Sequence, residues 1–186
     1  MRTSPPTSSV DIRPEVPADI DQIKAVVTAA FLLADHSAPP LRPGGPPAEV
    51  DLLNWLRNDA GWLPGLSLVA THGDQVVGHV VATRAHIGDA AALGLGPLSV
   101  HPDHQRTGVG NRLMRDLLLR AETAGETLVA LLGDPTYCAR FGFVPAQECR
   151  IEPPDPAWGD YFQVLPIGTG QHPTGRFAYA EPFDRL

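Results

Sequence analysis

The stretch from Leu95 to Gly125 constrains this chain most: a short apolar strand, a turn with two glycines, then an amphipathic helix. Leu98, Ser99 and Val100 close the strand, and His101-Pro102-Asp103-His104 breaks it. Val109, Leu113, Met114, Leu117, Leu118 and Ala121 then recur at the spacing of one helical face. Gly125 stands where a left-handed C-terminal cap belongs. The first N–H groups of such a helix lack intrahelical partners and point into the turn. Gly108 and Gly110 let an anion approach that backbone without meeting a Cβ. The order strand, glycine turn, helix predicts a phosphate site, and a pyrophosphate suits its length.

A chain of 186 residues with 43% hydrophobic residues can bury the core of one α/β domain. Its net charge of −7 argues against a broad nucleic-acid or anionic-membrane surface, because binding there rests on phosphate neutralisation. A local basic patch at Arg106, Arg112 and Arg115 is compatible with that balance. Cys138 and Cys149 are too few for a disulfide framework or a four-cysteine metal site. His101 and His104 flank a Pro-Asp turn without a third ligand at a known spacing, so no metal is expected. Met1 to Val10 lacks the apolar core of a signal peptide, and no apolar run approaches the ~20 residues that span a bilayer. The expected location is the cytoplasm, with reduced thiols and no membrane.

Along the chain, residues 1–9 are rich in Ser, Thr and Pro and predict a flexible tail; residues 10–186 form the domain. Val10–Arg13 reads as a first strand, Ala18–Leu33 as a helix and Ala48–Asn58 as a second. Between the helices, 39–47 holds five prolines and two glycines and must be a loop. The two helices could form a lid or simply pack. Leu66–Thr71 and Val76–Ala85 read as a hairpin about His72-Gly73-Asp74. Ala91–Val100 is the next strand, and Gly96-Pro97 predicts a bulge or splayed edge in it. Leu128–Leu132 is wholly apolar, as a buried central strand requires. Asp134 and Pro135 are an N-cap and first residue for a brief helix ending near Phe141-Gly142. Asp160–Ile167 and Arg176–Ala180 close a mixed α/β sheet domain.

Two phosphate motifs fail at the turn. A P-loop needs Lys and Ser or Thr after its last glycine, where Asn111-Arg112 stands. The dinucleotide fingerprint needs a third glycine, and Leu113 follows instead. Gln105-Arg106-Thr107-Gly108-Val109-Gly110 matches the loop Gln/Arg-x-x-Gly-x-Gly/Ala, and in this the chain resembles the GNAT acyltransferase superfamily. The segment from Leu132-Gly133-Asp134-Pro135 to Arg140-Phe141-Gly142-Phe143 is similar to a bacterial branch of predicted N-acetyltransferases, as is the ending Gly175 to Phe183.

The resemblance implies a single GNAT-like domain whose mostly antiparallel sheet splays at the cofactor site and is flanked by helices. It implies acetyl-coenzyme A as acyl donor and direct attack by a primary amine of a small molecule; it also allows a homodimer. Carried over, the pyrophosphate lies on the backbone of Gln105, Arg106, Thr107, Gly108, Val109, Gly110 and Asn111, and the pantetheine arm runs along Leu98, Ser99 and Val100. Arg106 and Arg112 are candidates for the phosphates; Arg112 could instead pair with Asp116 along the helix. The family often places a proton-donating Tyr five residues before the final Phe of its Gly-Phe ending. Here that position is Cys138, with Tyr137 beside it, and adjacent helical residues point about 100° apart. Cys138 could protonate the leaving thiolate, or serve as a small buried hydrophobe. No Glu occurs between Val76 and Val100, which leaves the general base unassigned and His79 and His86 as candidates. A CoA-binding module without turnover and a transferase of longer acyl groups are the alternatives.

Overall fold

A computed structural model describes residues 9–32, 34 and 39–186. The tail expected over 1–9 lies, apart from Ser9, outside the described residues, as does the helix end expected at Leu33. The elements are β1 (Val10–Pro14), α1 (Ile20–Phe31), α2 (Ala48–Leu56), β2 (Ser67–His72), β3 (Gln75–Ile87), β4 (Ala90–Val100) and α3 (Val109–Thr123). They continue with β5 (Leu128–Leu132), α4 (Pro135–Cys138), β6 (Val144–Pro145), β7 (Ile151–Glu152), β8 (Phe162–Pro166) and β9 (Gly175–Ala178). The sheet runs β1-β2-β3-β4-β5-β8-β6, with β9 pairing both β3 and β7. It is mixed and mostly antiparallel; the parallel pairs are β4 with β5 and β7 with β9.

The parallel pair sets the function. β4 and β5 pair only at Leu93↔Val129, Gly94↔Ala130 and Leu95↔Leu131. Immediately beyond, Gly96-Pro97 interrupts β4, and its register against β3 shifts between Val80 and Ala82. Proline cannot donate to a ladder, so the bulge falls there. From Leu98 onward β4 keeps β3 but has left β5, and a gap opens between the two strands.

Helices close both faces. On α3, Val109, Leu113, Met114, Leu117 and Ala121 bury against Leu68, Val80, Ala82, Leu93, Leu95 and Val129. Large apolar side chains buried this way contribute about 1.5–3 kcal/mol each. On the opposite face, Ile23, Val26 and Val27 of α1 and Leu52, Leu53 and Leu56 of α2 pack on Val69, Val76 and Val81. Both helices are therefore packing elements over their described lengths. Further along that face Phe162, Phe177, Trp158 and Tyr179 form an aromatic cluster. β6 and β7, two residues each, had no periodicity long enough to be legible. Gly125 takes φ +82° after α3, and the Asp134 carboxylate accepts from Thr136 N at 2.8 Å, so both caps stand as their chemistry required.

Gly94 has a reason that its strand does not suggest. A Cβ there would stand 2.5 and 2.8 Å from the Tyr179 ring, which packs against the backbone one residue before the strands part. Gly94→Ala is expected to cost about 1–3 kcal/mol through displacement of that ring, read as a lower urea midpoint with unchanged slope. An unchanged midpoint would show that the ring moves freely.

Candidate active site

The site lies where the gap meets the start of α3. Gly108 is the N-cap residue at φ +90°, no side chain caps the helix, and its first turn holds no acidic residue. Arg106 takes φ +61°, uncommon for a residue with a side chain. Together these turns aim successive amides outward. The first helical bond is Arg112 N to Gly108 O at 3.0 Å. Among the described residues, no hydrogen bond takes the backbone N–H groups of Arg106, Thr107, Gly108, Val109, Gly110 or Asn111. Six free donors at a positive helix end hold a polyanion well.

The neighbouring side chains brace this loop. Thr107 Oγ1 donates to His104 O at 2.6 Å, and Gln105 Nε2 donates to Val100 O at 3.1 Å. Gln105 thus ties the turn to the end of β4 with its side chain. His101 Nδ1 accepts from Asp103 N at 3.3 Å, so His101 serves the turn. Arg106, Arg112 and Arg115 are exposed on the same end of the molecule. The helix pair is not Arg112 with Asp116: Asp116 is bonded by Arg120 Nε at 2.8 Å, one turn further on, which leaves Arg112 without that partner.

In the gap, Leu98 and Val100 of β4 are half-buried, and Leu132 of β5 is 48% exposed. Leu132 had passed as part of a buried strand; only the divergence of the strands exposes it. Ser99 is 2% exposed and turned to the opposite face, its hydroxyl 3.5 Å from His79 O, so it meets the gap through its backbone.

The adjacent pair on α4 divides as helical geometry demands. The Cys138 side chain is 3% exposed, and a Cβ on Gly133 would stand 3.3 Å from its sulfur. Burial and then the nearby Asp134 push its thiol up to about 11. The Tyr137 ring points to the turn instead: a Cβ on Gly110 would stand 3.0 Å from its hydroxyl and 3.6 Å from Val100 Cγ2. The Arg140 guanidinium lies 4.7 Å from the Tyr137 ring centroid and Phe141 stacks edge-on at 5.5 Å, which fixes the ring. Burial raises the Tyr137 phenol, with Arg140 opposing.

Of the candidate bases, His86 is exposed at the far end of β3, paired with Ala91 and Ala178. His79 is fully buried, facing Ser99 across the β3–β4 ladder. Sequence reasoning missed its partners Glu15 and Ser67, up to 64 residues away in the chain, and Arg57, which binds Glu15 in turn. Among the described residues no three His, Cys, Asp or Glu side chains could hold a metal, and no helix is long and apolar enough to cross a membrane.

Parallel strands parted beside an uncapped, glycine-led helix make a slot with an anion site at its end, the arrangement that the resemblance to acyl-CoA-dependent transferases implies. Comparison with known proteins gives the family. Residues 64–145 match the acetyltransferase (GNAT) domain. The chain is 35% identical over 132 residues to the uncharacterized N-acetyltransferase YjhQ of Escherichia coli K12, a match spanning 69% of this chain and 66% of that protein. It is 34% identical to a GNAT family acetyltransferase from Brucella melitensis solved in complex with acetyl-CoA, over 95% of this chain and 99% of that one, with a TM-score of 0.76. Escherichia coli YhbS, a GNAT family N-acetyltransferase solved in complex with CoA, is 28% identical over 100% and 97% of the two chains, with a TM-score of 0.82. The chain belongs to the GNAT acetyltransferase family and is an acyl-CoA-dependent N-acetyltransferase.

Proposed function

We propose that residues 10–186 act as one unit that transfers acetyl from acetyl-CoA to the primary amine of a small molecule, in the cytoplasm where Cys138 and Cys149 stay reduced. The observation that carries the cofactor reading is the run of six unpartnered amides from Arg106 to Asn111 beside the open gap, in a chain 34% identical to a protein solved with acetyl-CoA. The pyrophosphate rests on those amides. The pantetheine arm lies along Leu98, Ser99 and Val100, whose β5-facing side has no strand partner. Arg106 and Arg112 are free to meet the phosphates.

Transfer by direct attack needs a neutral amine, and it releases a thiolate that must be protonated. Tyr137 is our donor: its hydroxyl lies against Gly110 at the end of the path of the arm, and burial keeps it protonated at neutral pH. Cys138 fills core space beneath it.

Calorimetric titration with acetyl-CoA, followed by thiol release across a panel of small amines, tests the reading. Binding with turnover of at least one amine is expected. Absence of binding at high micromolar concentration overturns the cofactor claim, and binding without turnover leaves a CoA-binding module. Tyr137→Phe is expected to lower kcat about ten- to a hundredfold while the Kd for acetyl-CoA stays within threefold. A weaker Kd with unchanged kcat would make Tyr137 a cofactor ligand and not an acid.

A further inference from the structure

One face of α3 is buried in the core, and the opposite face carries a pattern that the chain itself does not use. Opposite Leu113, Leu117 and Ala121 stand Arg112, Arg115, Leu119 and Glu122. At 100° per residue, the three charged side chains all fall within about 60° of Leu119. A single exposed leucine is ordinary on a protein surface. Leu119, 61% exposed, is instead the ridge between two depressions. On one flank lies a hollow of about 580 Å³ walled by Leu63, Pro64 and Leu66. On the other lies one of about 350 Å³ walled by Leu118, Phe141 and Leu165. Leu119 lines both, so their apolar walls meet at this residue.

The charges around the ridge fall into two groups. At the rim of the larger hollow, Asp116 is held by Arg120 at 2.8 Å and Glu126 by Arg84 at 2.6 Å. The Arg115 and Glu122 side chains have no hydrogen-bond or ion-pair partner among the described residues. Arg115 lies one turn before Leu119 and Glu122 one turn after it, on the same flank of the stripe. Turned end for end about Leu119, the stripe sets its positive half on its negative half. A two-fold axis crossing α3 at Leu119 brings Arg115 of one copy against Glu122 of the other, and the reciprocal pair forms with it. That self-complementarity is what an isologous contact requires. Parallel helices would set Arg115 against Arg115. A partner of uniform charge, such as a nucleic acid or an acidic peptide, would meet one attractive and one repulsive group.

We propose that the outer face of α3 docks a second copy of this chain, antiparallel and two-fold symmetric about Leu119. Leu119 meets its own counterpart, the flanking apolar walls are covered, and two Arg115–Glu122 pairs fix the direction. Gly108 lies eleven residues before Leu119, about 16 Å along the axis. The two phosphate turns therefore stand at opposite ends of the contact, about 30 Å apart, and both stay open. The surface is independent of the acyl-transfer reading.

Reversing the charges one at a time tests it. Sedimentation equilibrium of the full chain at high micromolar concentration should give twice the chain mass of 19.9 kDa. Leu119→Asp sets two carboxylates on the axis and should be monomeric. Arg115→Glu and Glu122→Arg each turn both pairs into like-charge contacts, and each alone should weaken the dimer at least about tenfold. Both positions are exposed, and circular dichroism of each variant checks its fold before mixing. Mixed in equal amounts, the two variants should associate again, because one chain supplies two carboxylates and the other two cations. Loss of fold cannot produce that rescue. A dimer that survives Leu119→Asp, or folded single variants that stay apart on mixing, overturns the proposal. A wild-type monomer at every concentration also overturns it and leaves the face to a different protein.

Discussion

Glutamate at position 108 is expected to weaken acetyl-CoA binding at least a hundredfold, about 2.8 kcal/mol at 1.4 kcal/mol per decade. Two effects add. Gly108 takes φ +90°, where any residue with a Cβ is strained by about 1–2 kcal/mol, so the turn that aims the amides must relax. A Cβ built there meets nothing within 4 Å, so the new side chain extends into the open space before the helix end. A carboxylate in that space occupies the anion position and repels the phosphates. Because the turn is exposed and the core beneath it untouched, the thermal midpoint should move little. Gly108→Asn separates the terms: asparagine tolerates the left-handed conformation and adds no charge, so it should lose far less affinity. Calorimetry on the three proteins decides. Unchanged affinity in Gly108→Glu would mean that the phosphates lie elsewhere.

The turn was legible because everything that makes it is local. A strand, two glycines and a helical period fall within about thirty residues, and each element's rule is short-range. The bulge at Gly96-Pro97 was legible for the same reason, since proline's missing N–H is a property of one residue. Leu132 was not, because five apolar residues in a row say "buried" and only the loss of β4 as a neighbour beyond Leu95 exposes the last of them. Which of Tyr137 and Cys138 faces the turn depends on about 100° of helix rotation, which spacing alone cannot anchor to a neighbour. Tyr179 on Gly94 needs contact between residues 85 apart in the chain, and Glu15 with His79 spans 64. Elements and their order are written in periodicity. The pairing of polar groups across the sheet is written only in the tertiary fold.

Glu15→Ala is expected to destabilise the fold by about 3–5 kcal/mol, the cost of breaking a buried ion pair from one side. The Glu15 side chain is 9% exposed and that of Arg57 14%. Removing the carboxylate strands the guanidinium, the Ser67 hydroxyl and the His79 Nε2–H, and it releases the end of α2 from β1 and β2. The same contacts predict how stability follows pH. Against the penalty of burial, hydrogen bonds from His79, Arg57 and Ser67 hold Glu15 at about 2, below its ordinary 4.5. A depressed carboxylate stabilises the fold above its unfolded value, so about 3 kcal/mol should be lost as pH falls from 4.5 toward 2. Burial also lowers His79 below its ordinary 6.5. The unfolded chain then binds that proton first, so stability begins to fall below about pH 6.5 and goes on falling until the folded-state value is reached. Urea midpoints at pH 7, 5 and 3 test this together with the variant. The wild-type protein should lose stability at each step, and Glu15→Ala, already weakened, should lose much less between pH 5 and 3. Parallel curves would place the acid sensitivity in other carboxylates and leave Arg57 and His79 tied by packing alone.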